Sequence, residues 1–272
     1  MPDITCDVCF HHCLIKDNGV GFCGARGNVD GVNTCLNYGM VTSLAIDPIE
    51  KKPLAMFHPG SWIVSIGSFG CNLSCPFCQN HAISMDRQGK RAQYISPEQL
   101  CDYVKQRTDS IGIAFTYNEP LISWEYILAC AKNLEGSGKK IVLVSNGTCQ
   151  PHILEKLMPY VDAMNIDLKG DDAFYKELSG DAQTVRNTIA YVYDKCHLEV
   201  TTLVIPGKND TVEFIEETSR FLASLDENIV LHLTRYFPQY KYTIPPTDKE
   251  HLLHLCDIAR KHLKHVKPGN IW

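Results

Sequence analysis

The chain has 272 residues, of which 44% are apolar, and its formal net charge at neutral pH is −5. This length allows one large domain with a small addition, and the apolar fraction supports a sizeable core. The negative net charge provides no general basic field, which argues against nucleic-acid binding. No run of about 18 apolar residues occurs, and the first residues lack the apolar core of a signal peptide, so we expect a cytoplasmic protein without a membrane span.

Thirteen cysteines are many for this length. Thiols stay reduced in the cytosol, so the cysteines are better interpreted as metal ligands and small buried hydrophobic residues than as disulfides. Seven fall into two groups with short spacings. Six are isolated, and we expect structural roles for them: Cys35, Cys101, Cys130, Cys149, Cys196 and Cys256.

Residues 1–60 predict a small, loop-rich appendage, because they hold five cysteines and seven glycines but no long periodic helix. Four of these cysteines have the spacing C-x2-C-x3-C-x9-C, namely Cys6, Cys9, Cys13 and Cys23. Four thiolates can close a zinc site that helps a small segment to fold. They can also hold an auxiliary 4Fe–4S cluster, or no metal at all, and spacing alone does not separate these alternatives. The stretch Asp47–Leu54 is either a loop beside the active site or a linker.

Residues 61–272 alternate short apolar runs with amphipathic segments, which is typical of parallel strands connected by helices. Six strands are predicted, at 63–67, 111–116, 141–145, 163–168, 200–205 and 229–234. Helices are predicted at 96–108, 121–135, 151–159, 172–178, 211–225 and 247–265. Six units are fewer than the eight of a closed barrel, so we expect an open partial barrel. A doubly wound sheet is the alternative, but no G-x-G-x-x-G follows the first strand.

The first predicted strand of this region is followed by Cys71, Cys75 and Cys78, with the spacing C-x3-C-x2-C. Thiolates are soft ligands that select zinc, Cu(I) or iron–sulfur clusters. Three thiolates would leave one iron of a 4Fe–4S cluster without a protein ligand, so a small molecule can bind there. The alternatives are a zinc site completed by His81 and a chance cluster of buried cysteines. Zinc sites usually pair their ligands in two separated halves, and the second half is missing near this loop.

The three-cysteine motif resembles the signature of the radical SAM superfamily. The resemblance implies a partial (β/α)6 barrel and an enzyme in which S-adenosylmethionine (SAM) binds the open iron. One electron would cleave SAM to methionine and a 5′-deoxyadenosyl radical, which abstracts hydrogen from a substrate. The electron would come from a donor such as flavodoxin or ferredoxin.

The resemblance also implies cofactor-binding residues at the carboxyl ends of the strands, where ligands bind in parallel α/β folds. Glu119 matches the glutamate of the family's Gly-Gly-Glu motif, with Tyr117 and Asn118 in place of the glycines. Asp167 and Lys169 match an Asp-Leu-Lys stretch of pyruvate formate-lyase-activating enzymes, which contacts SAM. The remaining candidates follow the cluster motif and the other strands: Phe77, Gln79, Ser145, Asn146, Ile205 and Arg235.

Further motifs resemble the radical SAM protein of the AmmeMemoRadiSam system. They include the N-terminal cysteine pattern, the stretch Asp47–Leu54, and the run Thr116–Pro120. This resemblance implies Memo-type and AMMECR-type companion proteins and a substrate that the sequence does not identify. Two alternatives remain, namely an activating enzyme for a glycyl-radical enzyme and a noncatalytic, zinc-stabilised binding module.

Overall fold

The computed structural model describes residues 1–271, which form a mixed α/β fold. The strands in chain order are β1 (Ile4–Thr5), β2 (Leu14–Ile15), β3 (Arg26–Val29), β4 (Val32–Cys35), β5 (Met40–Val41), β6 (Ser43–Pro48), β7 (Trp62–Gly67), β8 (Gln93–Tyr94), β9 (Gly112–Phe115), β10 (Lys140–Ser145), β11 (Ala163–Asp167), β12 (His197–Val204), β13 (Val230–Arg235) and β14 (Val266–Gly269). The helices are α1 (His81–Ser84), α2 (Pro97–Gln106), α3 (Trp124–Leu134), α4 (Pro151–Leu157), α5 (Asp172–Glu177), α6 (Ala182–Val192), α7 (Val212–Leu225) and α8 (Lys249–Ala259).

The central sheet has eight strands in the order β14-β13-β12-β11-β10-β9-β7-β6. All neighbours pair in parallel except β6 and β7, which are antiparallel. Within residues 1–271 the two edge strands, β14 and β6, do not pair with each other, so the barrel is open. The predicted partial barrel and its six strands are confirmed, and β14 and β6 extend the sheet at its two edges.

Five of the helices begin with a first turn that is capped by a side chain, namely α2, α5, α6, α7 and α8, and the core-facing residues of these helices are largely apolar. At the start of α2, the Ser96 side chain accepts from the N–H of Gln99, and the Gln99 side chain accepts from the N–H of Ser96. Such a reciprocal capping box satisfies donors that the first helical turn leaves free. The apolar faces pack on the sheet residues that point outward, for example Ile113, Leu143 and Ile166, to form the main core.

The inward-pointing residues near the strand starts are covered by the stretch between β6 and β7. Ile49, Leu54 and Phe57 pack there against a second apolar cluster that includes Ala114 and Val142. This segment closes the amino end of the barrel, opposite the strand ends that carry the candidate site. The stretch Asp47–Leu54 is therefore part of the barrel floor, away from the mouth.

The N-terminal segment contains two small antiparallel hairpins, β1–β2 and β3–β4. Strand β6 lies within the predicted appendage of residues 1–60 but pairs with β7 over six residues of the main sheet. The division at residue 60 stays a prediction. None of the helices described in residues 1–271 combines the length and apolarity needed to cross a membrane.

Candidate active site

Residues 70–80, here called the cluster loop, begin at a position where only glycine fits. Gly70 has a φ of 85°, and a Cβ atom there would lie 2.6 Å from the carbonyl oxygen of Cys23. A positive φ costs other L-residues energy, and the close backbone approach excludes a side chain. The N–H of Cys71 donates to the same carbonyl oxygen at 3.2 Å. The N-terminal segment therefore supports the backbone that presents Cys71.

The three thiols of the cluster loop lie close to one another in an apolar setting. Cys71 and Cys75 are each near Cys78, and the neighbouring thiols add to the effect of burial, which raises the pKa of Cys71 well above its ordinary value. Burial likewise raises the pKa of Cys75 to about 11. Without a cation these thiols would stay protonated, whereas a bound metal stabilises the thiolate form.

The donor set of the cluster loop fits an iron–sulfur cluster. The N–H of Leu73 donates to the Cys71 sulfur at 3.4 Å, and the Ser84 hydroxyl lies 3.1 Å from the Cys78 sulfur. Such donors are known to tune clusters held by thiolates. As the side chains stand in residues 1–271, no group of three or more His, Cys, Asp or Glu residues is arranged to hold a metal ion.

The aromatic residue of the motif packs beneath the loop, while the glutamine that follows it faces outward. The Phe77 ring stacks on Phe174 at a centroid distance of 5.9 Å and also contacts Tyr242. Gln79 is exposed. His81, which the zinc alternative would recruit, stacks on Tyr240, and its Nδ1 lies 3.2 Å from the Cys78 carbonyl oxygen.

Glu119 is a buried carboxylate fixed by three donors at the end of β9. The N–H of Asn146 donates to it at 2.7 Å, the Ser145 hydroxyl at 2.8 Å, and the N–H of Leu121 at 2.9 Å. Among residues 1–271, no lysine, arginine or histidine pairs with this carboxylate. Burial raises the pKa of Glu119 to about 7, although the three donors oppose the shift.

The amides around Glu119 connect it to the cluster loop. The Asn146 side chain donates to Asn72 at 2.9 Å and lies 3.8 Å from the Cys71 sulfur. The Asn118 side chain donates to the Gly70 carbonyl oxygen at 3.0 Å. Glu119 and the cysteine motif are therefore parts of one hydrogen-bonded unit.

Asp167 and Lys169 form an ion pair on the other side of the cluster loop. Lys169 Nζ donates to Asp167 at 2.9 Å. Although burial lowers it, the attraction of Asp167 and of Cys75 leaves the pKa of Lys169 raised overall. Asp167 also lies near enough to Glu119 to raise the pKa of that carboxyl group. The Lys169 cation is therefore close to a cluster thiol and to Asp167.

The last two predicted residues occupy different environments. Ile205 is fully buried beside the cluster loop, and its N–H donates to Asn209 at 2.6 Å. Arg235 is partly exposed at the end of β13, where its Nε donates to the Thr247 carbonyl oxygen at 2.7 Å and its guanidinium lies over Phe237. The structure brings most predicted residues to one end of the barrel, with Gln79 and Arg235 at its exposed rim.

A polar network inside the barrel was not predicted from the sequence. Lys52 is 2% exposed and donates to Asp47 at 2.8 Å, while the Tyr117 hydroxyl donates to the same carboxylate at 2.6 Å. Tyr117 has a φ of 72°, an uncommon conformation for a residue with a side chain. This backbone directs its ring inward against Gly67. The only signal in the sequence was the replacement of the family's glycines by Tyr117 and Asn118.

The Radical SAM superfamily model matches residues 65–222, which is more than half of the chain. The chain belongs to the radical SAM superfamily. A protein of Methanocaldococcus jannaschii that has no assigned function is 36% identical, over 98% of this chain and 81% of the relative. Another protein of that organism, provisionally named a glycyl-radical enzyme activating enzyme, is 26% identical over 73% of this chain and 85% of the relative.

Among solved structures, a domain of pyruvate-formate lyase-activating enzyme from Bacteroides vulgatus matches with a TM-score of 0.52. The match has 19% identity and covers 58% of this chain and 99% of that domain, so it shows a shared fold. Radical SAM proteins are enzymes that use a 4Fe–4S cluster and SAM, and both cofactors are therefore assigned to this chain. The alternative of a noncatalytic zinc module is not retained.

Proposed function

We propose that this radical SAM enzyme binds its 4Fe–4S cluster through Cys71, Cys75 and Cys78 and cleaves SAM reductively. When bound, the cluster supplies the electron that breaks SAM into methionine and a 5′-deoxyadenosyl radical. That radical would then abstract hydrogen from the substrate. The protein's part is to hold the cluster, orient SAM and exclude water from the carboxyl end of the barrel.

The observation that carries the proposal is a buried carboxylate without a cation, placed beside the three thiols of the cluster loop. Glu119 is 2% exposed and is held by Ser145 and by the backbone of Asn146. A buried charge normally has a partner, because desolvation of an unpaired ion is costly. The ammonium group of SAM would be that partner. Since the donors already fix the carboxylate, little reorganisation is needed when SAM binds.

The other residues have supporting roles in this proposal. The Lys169 ammonium would contact the SAM carboxylate, with Asp167 holding it in place. Asn118 and Asn146 would position the loop and the carboxylate through their hydrogen bonds. The apolar and rim residues would form the walls around the bound cofactor: Phe77, Gln79, Ile205 and Arg235.

We further propose that the enzyme acts within an AmmeMemoRadiSam system, with Memo-type and AMMECR-type proteins as companions and a flavodoxin-like or ferredoxin-like electron donor. The support is the resemblance of three motifs, namely the N-terminal cysteine pattern, the stretch Asp47–Leu54 and the run Thr116–Pro120. The substrate is to be identified by experiment.

The direct test is anaerobic incubation of the reconstituted protein with SAM and reductant, with 5′-deoxyadenosine measured by mass spectrometry. We expect product from the wild type and from Cys256→Ala, a buried cysteine on α8, but none from Cys78→Ala. Deuterated extracts or companion proteins would then reveal the hydrogen donor through deuterium in 5′-deoxyadenosine. Equal product from Cys78→Ala and the wild type would contradict the proposal.

A second candidate function is the activation of a glycyl-radical enzyme, which the relative provisionally named as such an activating enzyme favours. In that case the substrate would be a backbone Cα–H of a partner protein. EPR spectroscopy after incubation with SAM, reductant and candidate partners would show a glycyl radical on the partner. Deuterium transfer from a small molecule without such a signal would favour the first function.

A further inference from the structure

The four cysteines of the N-terminal segment are brought together by two backbone turns. In the β1–β2 hairpin the N–H of Cys6 donates to the Cys13 carbonyl oxygen at 2.9 Å, and Cys9 lies at the turned end of the hairpin. Cys23 lies in a second turn, in which the N–H of Gly24 donates to the Gly21 carbonyl oxygen at 3.0 Å. Each thiol is close enough to others of the group for thiolate charges to repel.

The sulfurs of this group accept hydrogen bonds in the manner of the cluster loop. In that loop Cys71 accepts from the N–H two residues ahead. The same relation recurs at Cys23, whose sulfur accepts from the N–H of Ala25 at 3.5 Å. The sulfurs of Cys6 and Cys9 lie near the backbone N–H groups of Val8 and His11, each two residues further along the chain. The fourth sulfur, Cys13, accepts from the N–H of Phe22 at 3.4 Å. Such donors stabilise a thiolate more than a thiol.

The cation beside Cys6, Arg26, already has a carboxylate partner. Arg26 is 3% exposed and donates to both oxygens of Glu125, at 2.7 and 2.9 Å. Cys6, Cys9 and Cys23 are buried, and within residues 1–271 every cysteine is a free thiol. Buried polar groups need partners, and four converging thiols are a ligand set for a soft metal.

We propose that Cys6, Cys9, Cys13 and Cys23 bind a second metal centre with four thiolate ligands, either a zinc ion or a 4Fe–4S cluster. No three of these side chains are arranged to share one ion as they stand in residues 1–271. The same is true of the cluster loop, whose sulfurs the proposed function assigns to a cluster.

The second centre would support the first, because the two sites share a backbone contact. The Cys23 carbonyl oxygen accepts from the N–H of Cys71, and the His11 ring lies 2.9 Å from the Asn72 carbonyl oxygen. The Cys9 sulfur lies beside the Asn72 side chain. A metal that fixes the N-terminal turns therefore fixes the start of the cluster loop.

The test uses the full chain without its primary ligands, as the variant Cys71→Ala/Cys75→Ala/Cys78→Ala, purified anaerobically and reconstituted with iron and sulfide. We expect this variant to retain metal, measured by elemental analysis. About one zinc per chain would identify a zinc site, whereas iron and sulfide with a 4Fe–4S Mössbauer spectrum would identify a cluster. Adding Cys9→Ser and Cys13→Ser should remove that metal, and adding Cys196→Ala, a change outside both groups, should not.

The proposal would be overturned if Cys71→Ala/Cys75→Ala/Cys78→Ala is folded, as judged by circular dichroism, but contains no metal and shows no thiolate charge-transfer absorption when it is titrated with Cd²⁺. If that variant does not fold, the wild type and Cys9→Ser/Cys13→Ser are compared. The proposal requires Cys9→Ser/Cys13→Ser to contain no zinc if the site binds zinc. If the site binds a cluster, this double variant must contain less iron than a Cys196→Ala single variant. The outcome is independent of SAM cleavage, so it does not depend on the proposed function.

Discussion

Two buried glutamates near opposite ends of the barrel differ in how their charge is satisfied. Glu199, near the floor, accepts from His197, His232 and two backbone N–H groups of the segment that closes the amino end. Burial would raise its pKa, but the hydrogen bonds from the two histidines and the two backbone N–H groups together outweigh burial and lower the pKa of Glu199 to about 2. Glu119, at the carboxyl end, has hydrogen-bond donors but no cation, and burial raises its pKa to about 7.

The difference separates a structural charge from a functional one. The carboxylate of Glu199 finds all of its hydrogen-bond donors within the protein, so it contributes to the fold without any ligand. The glutamate beside the cluster loop is costly to the fold until a cation arrives, which is the pattern expected of a binding site. The following predictions test whether the two ends divide stability and function in this way.

The largest effect is expected from removing a cluster ligand at the carboxyl end. Cys75→Ala should abolish cluster binding and 5′-deoxyadenosine formation, because two thiolates cannot replace three. The barrel should stay folded, since Cys75 lies in a loop and its loss leaves the sheet intact. Iron analysis, product analysis and circular dichroism would measure these three properties. Wild-type activity in this variant would refute the ligand assignment.

The next effect concerns the floor and should fall on stability. Glu199→Gln should lower the free energy of unfolding by about 2–4 kcal/mol, because the NH2 group of the amide would face N–H donors that now bond to the carboxylate and would leave them unsatisfied. Denaturant unfolding of the metal-free protein would measure the loss. Glu213→Gln, an exposed change on α7, is the matched control and should alter stability by less than about 0.5 kcal/mol. A comparable small change at Glu199 would mean that the floor charge is not structural.

The third effect concerns the unpaired glutamate and should fall on SAM affinity. Glu119→Gln should weaken SAM binding about tenfold to a hundredfold, the range expected for the loss of a hydrogen bond to a charged group. Equilibrium binding to the cluster-loaded protein would measure it. The folded fraction of Glu199→Gln should bind SAM with wild-type affinity. Equal weakening in both variants would remove the distinction between the two ends.

The sequence predicted the barrel and the cluster loop because both depend on local patterns. Continuous apolar runs marked six of the seven parallel strands, and the three cysteines occupy one short loop. Helix α6 was not predicted, although Asp181 caps it through the N–H of Thr184. Its position directly behind α5 broke the expected alternation of one helix with one strand.

What the sequence did not predict depends on contacts between distant segments. Strand β6 pairs with β7 across the segment that closes the floor, and Glu199 accepts from the N–H of Ala55, more than a hundred residues earlier. The lack of a cation at Glu119 likewise follows from packing, because a sequence shows the carboxylate but not its neighbours. The motif could identify the residue, whereas its electrostatic state required the fold.

The smallest effect is a pH dependence that only one of the two glutamates should produce. The folded pKa of Glu119, about 7, lies above its ordinary value of 4.5, so between these values the folded state holds a proton that the unfolded state has lost. The stability of SAM-free protein should therefore fall as pH rises through this range. The pKa of Glu199 is shifted the other way, so its contribution is lost only in acid and is constant near neutrality.

The measurement is the difference in unfolding free energy between the wild type and Glu119→Gln, in the absence of SAM. Between about pH 6 and pH 7 the wild type should lose about 1 kcal/mol relative to the variant, since each pKa unit corresponds to about 1.4 kcal/mol. Other titrating groups are common to both proteins and cancel in the difference. Saturating SAM should abolish the slope, because its ammonium would then stabilise the ionised carboxylate. A flat difference without SAM would show that Glu119 is already paired or solvated, and the contrast with Glu199 would no longer identify a binding site.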